Sequence, residues 1–427
     1  MNFFKNIPDY DGGRTVPCIY NTGCGIENDL ENYNVINNYT LLVTNTDAEE
    51  YANYIKKLTE NGYTVIFENR IENDLYTALD GERLLYVYYT DAKKEVRIIA
   101  DDASSRIDKF GYEIKETKCA VNVTQYGLYY DPENGHSPTT TNCGMFYAVR
   151  LADNSLFLID GGDVFQCSQA ALEGRMDYLH RLTGTGKGEK MRVAAWFITH
   201  AHNDHMDGCA KMLNRCHDEL EVERFVFNFP CSKVRNPDDR FGVFIGMVKK
   251  YCPDALYLKA HTGQKFMLGG VVFNVLYAHE DSIRADSTSA YPLGDYNCTS
   301  TVIKMKVGEN SVLWTGDTNV ETEKILAEKF SAATFKSDVV QVAHHCFNYL
   351  STLYPMIDAD YAMLPNSYFG AHTPENAPKL QEVIDRLPDE RNIRYEDKTS
   401  SFEFIGGKYT LVNDEELIGG EYDGSGF

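Results

Sequence analysis

The chain has 427 residues, 43% of them apolar, and a formal charge of −22 from 41 basic and 63 acidic side chains. That apolar content is enough for a sizeable core and rules out extensive disorder, while the longest apolar runs, such as Gly242–Val248, fall far short of the ~20 residues of a membrane span. The negative balance argues against long nucleic acid and anionic membrane surfaces, both of which are held by Lys and Arg.

Residues 1–35 are rich in Asn, Gly and Asp and read as an irregular lead-in. Residues 36–102 read as a small α+β domain. Tyr39–Thr44 is a strand, and Thr46 and Glu49 are spaced as a capping box for a helix carrying Tyr51, Ile55 and Leu58. Strands follow at Tyr63–Glu68, Leu75–Leu79, Leu84–Tyr89 and Val96–Ile99. The segment has no His, and its acidic residues fall at turns and on solvated faces. An accessory role is expected, through a protein partner or self-association.

Residues 103–118 are polar and read as a linker, and residues 119–427 alternate strands and helices. A hairpin is expected at Met145–Leu151 and Ser155–Ile159. A helix at Ala170–Leu182, a buried strand at Arg192–Thr199 and a helix at Met206–Arg215 follow. Strands are expected at Val222–Phe229, Leu256–Lys259, Val271–Leu276, Thr301–Val307 and Val312–Trp314. After a helix at Asn319–Phe330 come strands at Asp338–Val342 and Tyr361–Leu364, a helix at Glu375–Leu387 and a last hairpin at Phe402–Phe404 and Tyr409–Leu411. The fold class is α/β, a layered domain preceded by the small α+β domain. Eleven cysteines with no CxxC, and no basic, apolar leader in MNFFKNIPDYDGG, set the expectation of reduced thiols in a cytoplasmic protein.

The chemistry concentrates in Thr199–Gly208, THAHNDHMDG. His200 and His202, two apart in extended chain, face one point. Asp204 and His205 leave the turn that follows and face a second. Three imidazoles and a carboxylate within six residues suit Zn²⁺ or a similar ion. Cys209, Cys298 and Cys346 each directly follow a motif of this constellation and read as small packed side chains.

The motif resembles the HxHxDH signature of the metallo-β-lactamase superfamily. Two further motifs of that superfamily stand in order: LFLIDGG with Asp160 before it, and SVLWTGDT with Asp317 after it. The resemblance covers residues ~119–415 and implies an αββα sandwich. Four segments, NCTSTV, LWTGD, DVVQVAHH and NSYFGAHTP, are similar to the hydrolase domain of the bacterial competence channel, the ComEC-like subgroup.

By that resemblance, His200 and His202 hold a first metal, Asp204 and His205 a second, and Asp317 bridges. His344 is the first choice to close the second site, with His345 or His372 as alternatives. Asp160 orients the ligand loop rather than binding metal. Asn297 stands where many members carry a third-motif His, and Cys298 or His279 are the candidate substitutes. The implied cofactor is a pair of divalent ions, Zn²⁺ first, with Mn²⁺ or Fe as alternatives. Asp204 and Asp317 are the implied catalytic carboxylates, and Asp204 becomes the general base if only one ion binds.

The expected activity is hydrolysis of a phosphodiester or another small anionic ester. Hydrolysis of a lactone, amide or thioester, and a non-catalytic metal-binding interaction protein, are the competing readings. The loops Pro230–Asp239 and Glu280–Tyr296 are the candidate walls of the substrate pocket.

Overall fold

The computed structural model describes residues 6–18, 39–101, 117–128, 144–229, 241–284 and 296–413. Most of the expected lead-in, nearly all of the linker, the loop Pro230–Asp239 and residues 285–295 lie outside them.

The N-terminal unit runs β1 (Arg14–Cys18), β2 (Tyr39–Thr44), α1 (Ala48–Glu60), β3 (Thr64–Ile71), β4 (Asp74–Asp80), β5 (Leu84–Thr90) and β6 (Glu95–Asp101). The strands form one antiparallel sheet in the order β1-β2-β6-β5-β4-β3. β1 corrects the irregular lead-in: it pairs with β2 alone, and an edge strand accommodates Pro17. The cap of α1 is Asp47 rather than Thr46. Its carboxylate accepts from the N–H groups of Glu49 and Glu50, both at 2.9 Å, a contact worth about 1 kcal/mol.

β5 (LLYVYYT) is buried on both faces. Leu85, Val87 and Tyr89 pack with Tyr51, Tyr54 and Leu58 of α1. Tyr86 and Tyr88, one residue out of phase, join Tyr76, Ala78 and Ile99 on the opposite face. That second face lies against the larger unit. Asp74, expected on a solvated face, is buried there, 3.8 Å from Lys329.

The larger unit opens with β7 (Val121–Gln125), β8 (Tyr147–Arg150), β9 (Leu156–Ile159), α2 (Gln169–Thr183), β10 (Met191–Phe197) and α3 (Asn203–Cys216). Then come β11 (Leu220–Val222), β12 (Arg224–Val226), α4 (Phe241–Tyr251), β13 (Leu256–Leu258), β14 (Lys265–Leu268) and β15 (Val271–Tyr277). β16 (Val302–Val307), β17 (Asn310–Trp314), α5 (Val320–Lys329), α6 (Ala332–Phe335), β18 (Val339–Gln341), α7 (Leu353–Ile357) and β19 (Tyr361–Leu364) follow. The described chain ends with α8 (Tyr368–Ala371), α9 (Ala377–Ile384), β20 (Ile393–Tyr395), β21 (Ser400–Ile405) and β22 (Lys408–Asn413).

One sheet has the order β13-β12-β10-β9-β8-β7-β21-β22, with β11 beside β10, and the other the order β14-β15-β16-β17-β18-β19-β20. A shared core between the sheets includes Tyr147, Phe157, Phe197, Phe273, Met305, Trp314 and Phe402. Helices α2, α3 and α4 cover the outer face of the first sheet, and α5, α7 and α9 that of the second. The layering is helix, sheet, sheet, helix, so the expected αββα sandwich is the observed architecture. Elements β7, α4, β14 and β20 lie where the sequence pattern predicts none. The strand expected at Val222–Phe229 is two short strands, β11 and β12, broken at Glu223. Helix α3 begins at Asn203, so Asp204 and His205 belong to its first turn. No helix among the described residues is long and apolar enough to cross a membrane.

Candidate metal centre

Asp160 follows β9, His200 to His205 follow β10, Asp317 follows β17, and His344 and His345 follow β18. β9 runs parallel to β10, and β17 parallel to β18, so these residues gather where the strands end, the usual place for a ligand in α/β sheets.

Glycine permits the close approach that assembles them. The Gly208 N–H donates to the Gly162 carbonyl at 2.8 Å. A Cβ on Gly208 would stand 1.7 Å from the Gly161 carbonyl oxygen. The N-terminal half of α3 therefore rests directly on the Asp160-Gly161-Gly162 turn. Asp160 then receives His205 Nδ1–H at 2.8 Å, the Thr199 N–H at 2.8 Å and the Thr199 hydroxyl at 2.9 Å. This fixes the His205 tautomer and turns Nε2 inward, to 3.2 Å from Asp317 Oδ2.

The donor atoms form two groups, each lying within 4.8 Å. One holds His200, His202 and Asp317, and the other Asp204, His205, Asp317 and His345. Asp317 belongs to both. His200 Nε2 is 3.0 Å from His202 Nδ1 and 3.7 Å from Asp317 Oδ2. His345 Nε2 is 3.2 Å from Asp204 Oδ2 and 3.4 Å from Asp317 Oδ2. Asp317, His200, His205 and His345 are buried, while His202, Asp204 and His344 are partly exposed, which leaves one side open to solvent.

The second group contains His345 where the sequence reading favours His344. The cause is the backbone. His344, His345 and Cys346 are successive non-glycine residues at φ 48°, 51° and 66°. Such conformations cost about 1–3 kcal/mol each and persist only when neighbours enforce them. Here the His344 N–H donates to Gly316 O at 3.1 Å, His345 Nδ1 donates to Pro365 O at 2.8 Å, and Asn366 Nδ2 donates to His345 O at 2.9 Å. The turn aims His345 inward. His344 Nε2 lies 4.0 Å from Asp317 Oδ2 and accepts from Asn297 Nδ2 at 3.1 Å.

Three other expectations fall outside both groups. His372 is exposed, stacks on Tyr368 and donates to its carbonyl at 2.7 Å. His279 is buried, with Nε2 3.0 Å from Asn228 Oδ1. Cys298 is fully buried beside Asn297, in the short turn Tyr296–Thr299. Burial pushes the Cys346 thiol up to about 12 and raises that of Cys209 well above its ordinary value, which fits packing rather than thiolate chemistry.

Burial works against charge throughout the centre. At His205 the nearby Asp317, Asp160 and Asp204 outweigh it and raise the imidazole well above its ordinary value. At Asp317 burial is outweighed by His205 and His345, which hold the carboxyl well below the usual range. At His200 burial prevails, reinforced by His205 and His202, and the ring is driven neutral, the form that ligates metal. Asp317 Oδ1 is buried with no hydrogen-bond partner among the described residues. A buried carboxylate oxygen calls for such a partner, and a cation held by imidazole and carboxylate donors would supply it.

Sequence reasoning passes over the residues that hold the Asp317 turn. Gln341 Oε1 accepts from the N–H groups of Thr315 and Gly316 at 2.8 and 2.7 Å, and its Nε2 donates to Gly316 O at 3.0 Å. Ser300 Oγ accepts from the Asp317 N–H at 3.0 Å. The signal was a lone Gln inside the apolar strand DVVQV.

No family model and no curated protein sequence matches the chain. Solved structures similar to it include a metallo-β-lactamase fold protein. Residues amounting to 69% of this chain align with all of YhfI from Bacillus subtilis, described as a metallo-β-lactamase fold protein, at 12% identity and a TM-score of 0.38. A diphosphatase of the PhnP family aligns over 67% of this chain and 98% of its own, at 12% identity and a TM-score of 0.36. Zn²⁺-bound PqqB from Methylobacterium extorquens aligns over 52% of this chain and 72% of its own, at 10% identity and a TM-score of 0.31.

Proposed function

We propose that this protein is a metal-dependent hydrolase with a dinuclear centre, acting on a phosphodiester or another small anionic ester. The observation that carries the reading is the pair of donor groups sharing Asp317, one of whose oxygens lacks a hydrogen-bond partner among the described residues. His200 and His202 would hold the first ion, Asp204, His205 and His345 the second, with Asp317 belonging to both donor groups. The donor set suits Zn²⁺ first, with Mn²⁺ or Fe as alternatives. When bound, the ions would supply an activated water and a cradle for the anionic oxygens of the ester.

The chain's own residues prepare that chemistry. Asp160 and the Pro365 carbonyl take the Nδ1 protons of His205 and His345, leaving both Nε2 atoms as donors. Asn297 donates to His344, which stands at the open side. Asp204 has the reach to serve as general base if a single ion binds. The competence-channel resemblance favours the phosphodiester, and the charge of −22 favours a small substrate over a long polyanion.

The test is turnover of bis(4-nitrophenyl) phosphate, a γ-thiolactone and an acyl thioester by protein loaded with Zn²⁺ or Mn²⁺. Diester hydrolysis that is lost in Asp317→Ala is expected. Thiolactone or thioester turnover without diester turnover moves the reading to acyl substrates. Turnover of none, by protein that holds its ions, leaves a metal-binding protein and overturns the hydrolase.

A further inference from the structure

The second face of the N-terminal sheet meets the larger unit at the 3₁₀ turn His279–Ser282 and its flanks, at residues 261–263 and at Lys329 of α5. Arg97 of β6, 1% exposed, donates from Nε to the Glu280 carbonyl at 3.2 Å and from Nη2 to the Ile283 carbonyl at 3.0 Å. The Tyr88 hydroxyl donates to Asp281 Oδ1 at 2.9 Å. Lys329 of α5 meets Asp281 Oδ2 from the other side at 2.8 Å, with its ammonium beside the rings of Tyr76 and Tyr88. Tyr86 donates to the Thr262 carbonyl at 2.8 Å and stacks on His261, whose Nδ1 lies 2.6 Å from Glu280 Oε1.

The same turn leads to the centre. It packs against the turn Tyr296–Thr299. Tyr277, two residues before it, donates to the Cys298 carbonyl at 2.7 Å. Tyr296 stacks on His202 with ring centroids 5.2 Å apart, and Asn297 donates to His344. A continuous chain of described contacts thus runs from a β-sheet outside the sandwich to two imidazoles on the open side of the donor groups.

We propose that Tyr88 and Arg97 are positioning residues of the active site, and that the N-terminal unit holds the wall formed by Tyr296 and Asn297 in register with His202 and His344. This deepens the hydrolase reading and rests on it for its catalytic consequence. Neither residue touches a metal donor, and the wall reaches the centre only by a ring stacked on His202 and a hydrogen bond to His344, so the unit sets how substrate is seated more than whether ions bind. None of this requires a partner protein, because this chain itself covers the sheet face.

The test uses the full-length chain and two variants. Tyr88→Phe removes one hydroxyl and keeps the ring, and Arg97→Gln removes the charge and the fork. Hydrogen exchange is followed across the backbone, with ions per chain and steady-state kinetics on bis(4-nitrophenyl) phosphate measured in parallel. Exchange at both 279–283 and 296–299 is expected to quicken by roughly 3- to 30-fold. The ion count is expected to stay at the parent value, and kcat/KM to fall by a similar factor, carried by KM. Faster exchange confined to 84–101, 261–264 and 279–283, with 296–299 unchanged, would make the unit a docked appendage and overturn the proposal. If the parent protein hydrolyses no diester, the hydrolase reading falls, and the exchange pattern still decides the positioning role. If Arg97→Gln does not fold, Tyr88→Phe decides it alone.

Discussion

Replacing Asp160 by Asn exchanges one oxygen for an NH₂ group and tests how the second donor group is built. The carboxylate is fully buried and accepts three hydrogen bonds, at 2.8 Å from the Thr199 N–H, 2.9 Å from the Thr199 hydroxyl and 2.8 Å from His205 Nδ1. An Asn keeps the shape and one acceptor. With its oxygen on the Thr199 N–H, its NH₂ faces the Thr199 hydroxyl, which can accept, and His205 Nδ1, which can accept only by giving up its proton. The imidazole proton then moves to Nε2, the atom 3.2 Å from Asp317 and meant for metal. The cost to folding is about 1–3 kcal/mol, one poorly matched buried polar contact. The cost to metal affinity is of similar size, roughly 10- to 100-fold, as for other lost orienting partners of a ligating His. Thermal unfolding of the metal-free proteins measures the first, and competition with a chromogenic chelator measures the second. An Asn variant that binds both ions as tightly as the parent would refute the tautomer argument and with it the role of Asp160.

His345→Ala is expected to lose one ion per chain, whereas His344→Ala keeps both and loses turnover; elemental analysis of the two variants checks this, and the reverse ranking returns the second group to His344. Glu72, at the interface between the units, accepts from the Ser331 N–H and hydroxyl and the Thr334 hydroxyl, at 2.6 to 3.1 Å. Burial opposes its charge, but these bonds outweigh burial and lower its carboxyl. A lowered folded value means that the contribution is complete above the ordinary Glu range near 4.3 and is lost as pH falls through the folded value. Glu72→Gln should therefore lower the unfolding midpoint at pH 7 and converge with the parent in acid. Glu72 is exposed, so the difference at pH 7 should stay under about 1 kcal/mol, and a gap that widens in acid would contradict the assignment.

The donor residues were legible because metal chemistry demands rare residue types at close spacing. Three His and an Asp within six residues, at the end of an apolar strand, can hardly serve anything else. Asp160 and Asp317 were legible through the resemblance, in the LFLIDGG and SVLWTGDT motifs that match it. The choice between His344 and His345 was not, because it turns on three left-handed, non-glycine residues whose conformation is imposed by Gly316, Pro365 and Asn366 from elsewhere in the chain. The layered α/β class followed from the alternation of elements and the αββα order from the family resemblance, but α4 followed from neither. Its sequence, FGVFIGMVKKY, has an apolar run and two glycines, which lower helix propensity, and tertiary packing decides it. The docking of the N-terminal unit left one trace, the unbroken apolar run LLYVYY of β5, which is the pattern of a strand covered on both faces. What covers the second face could not be read, since Arg97, Asp281 and Lys329 meet across more than 180 residues of sequence.

The account stands most directly on the sharing of Asp317 between two ions. The deciding measurement is the ion content of purified protein by elemental mass spectrometry, for the parent and for Asp317→Ala. About two ions per chain in the parent, and a loss of ions in the variant, are predicted from the two donor groups. Near-full ion content in Asp317→Ala, or a parent that takes up no ion after supplementation with Zn²⁺, Mn²⁺ or Fe²⁺, would contradict it.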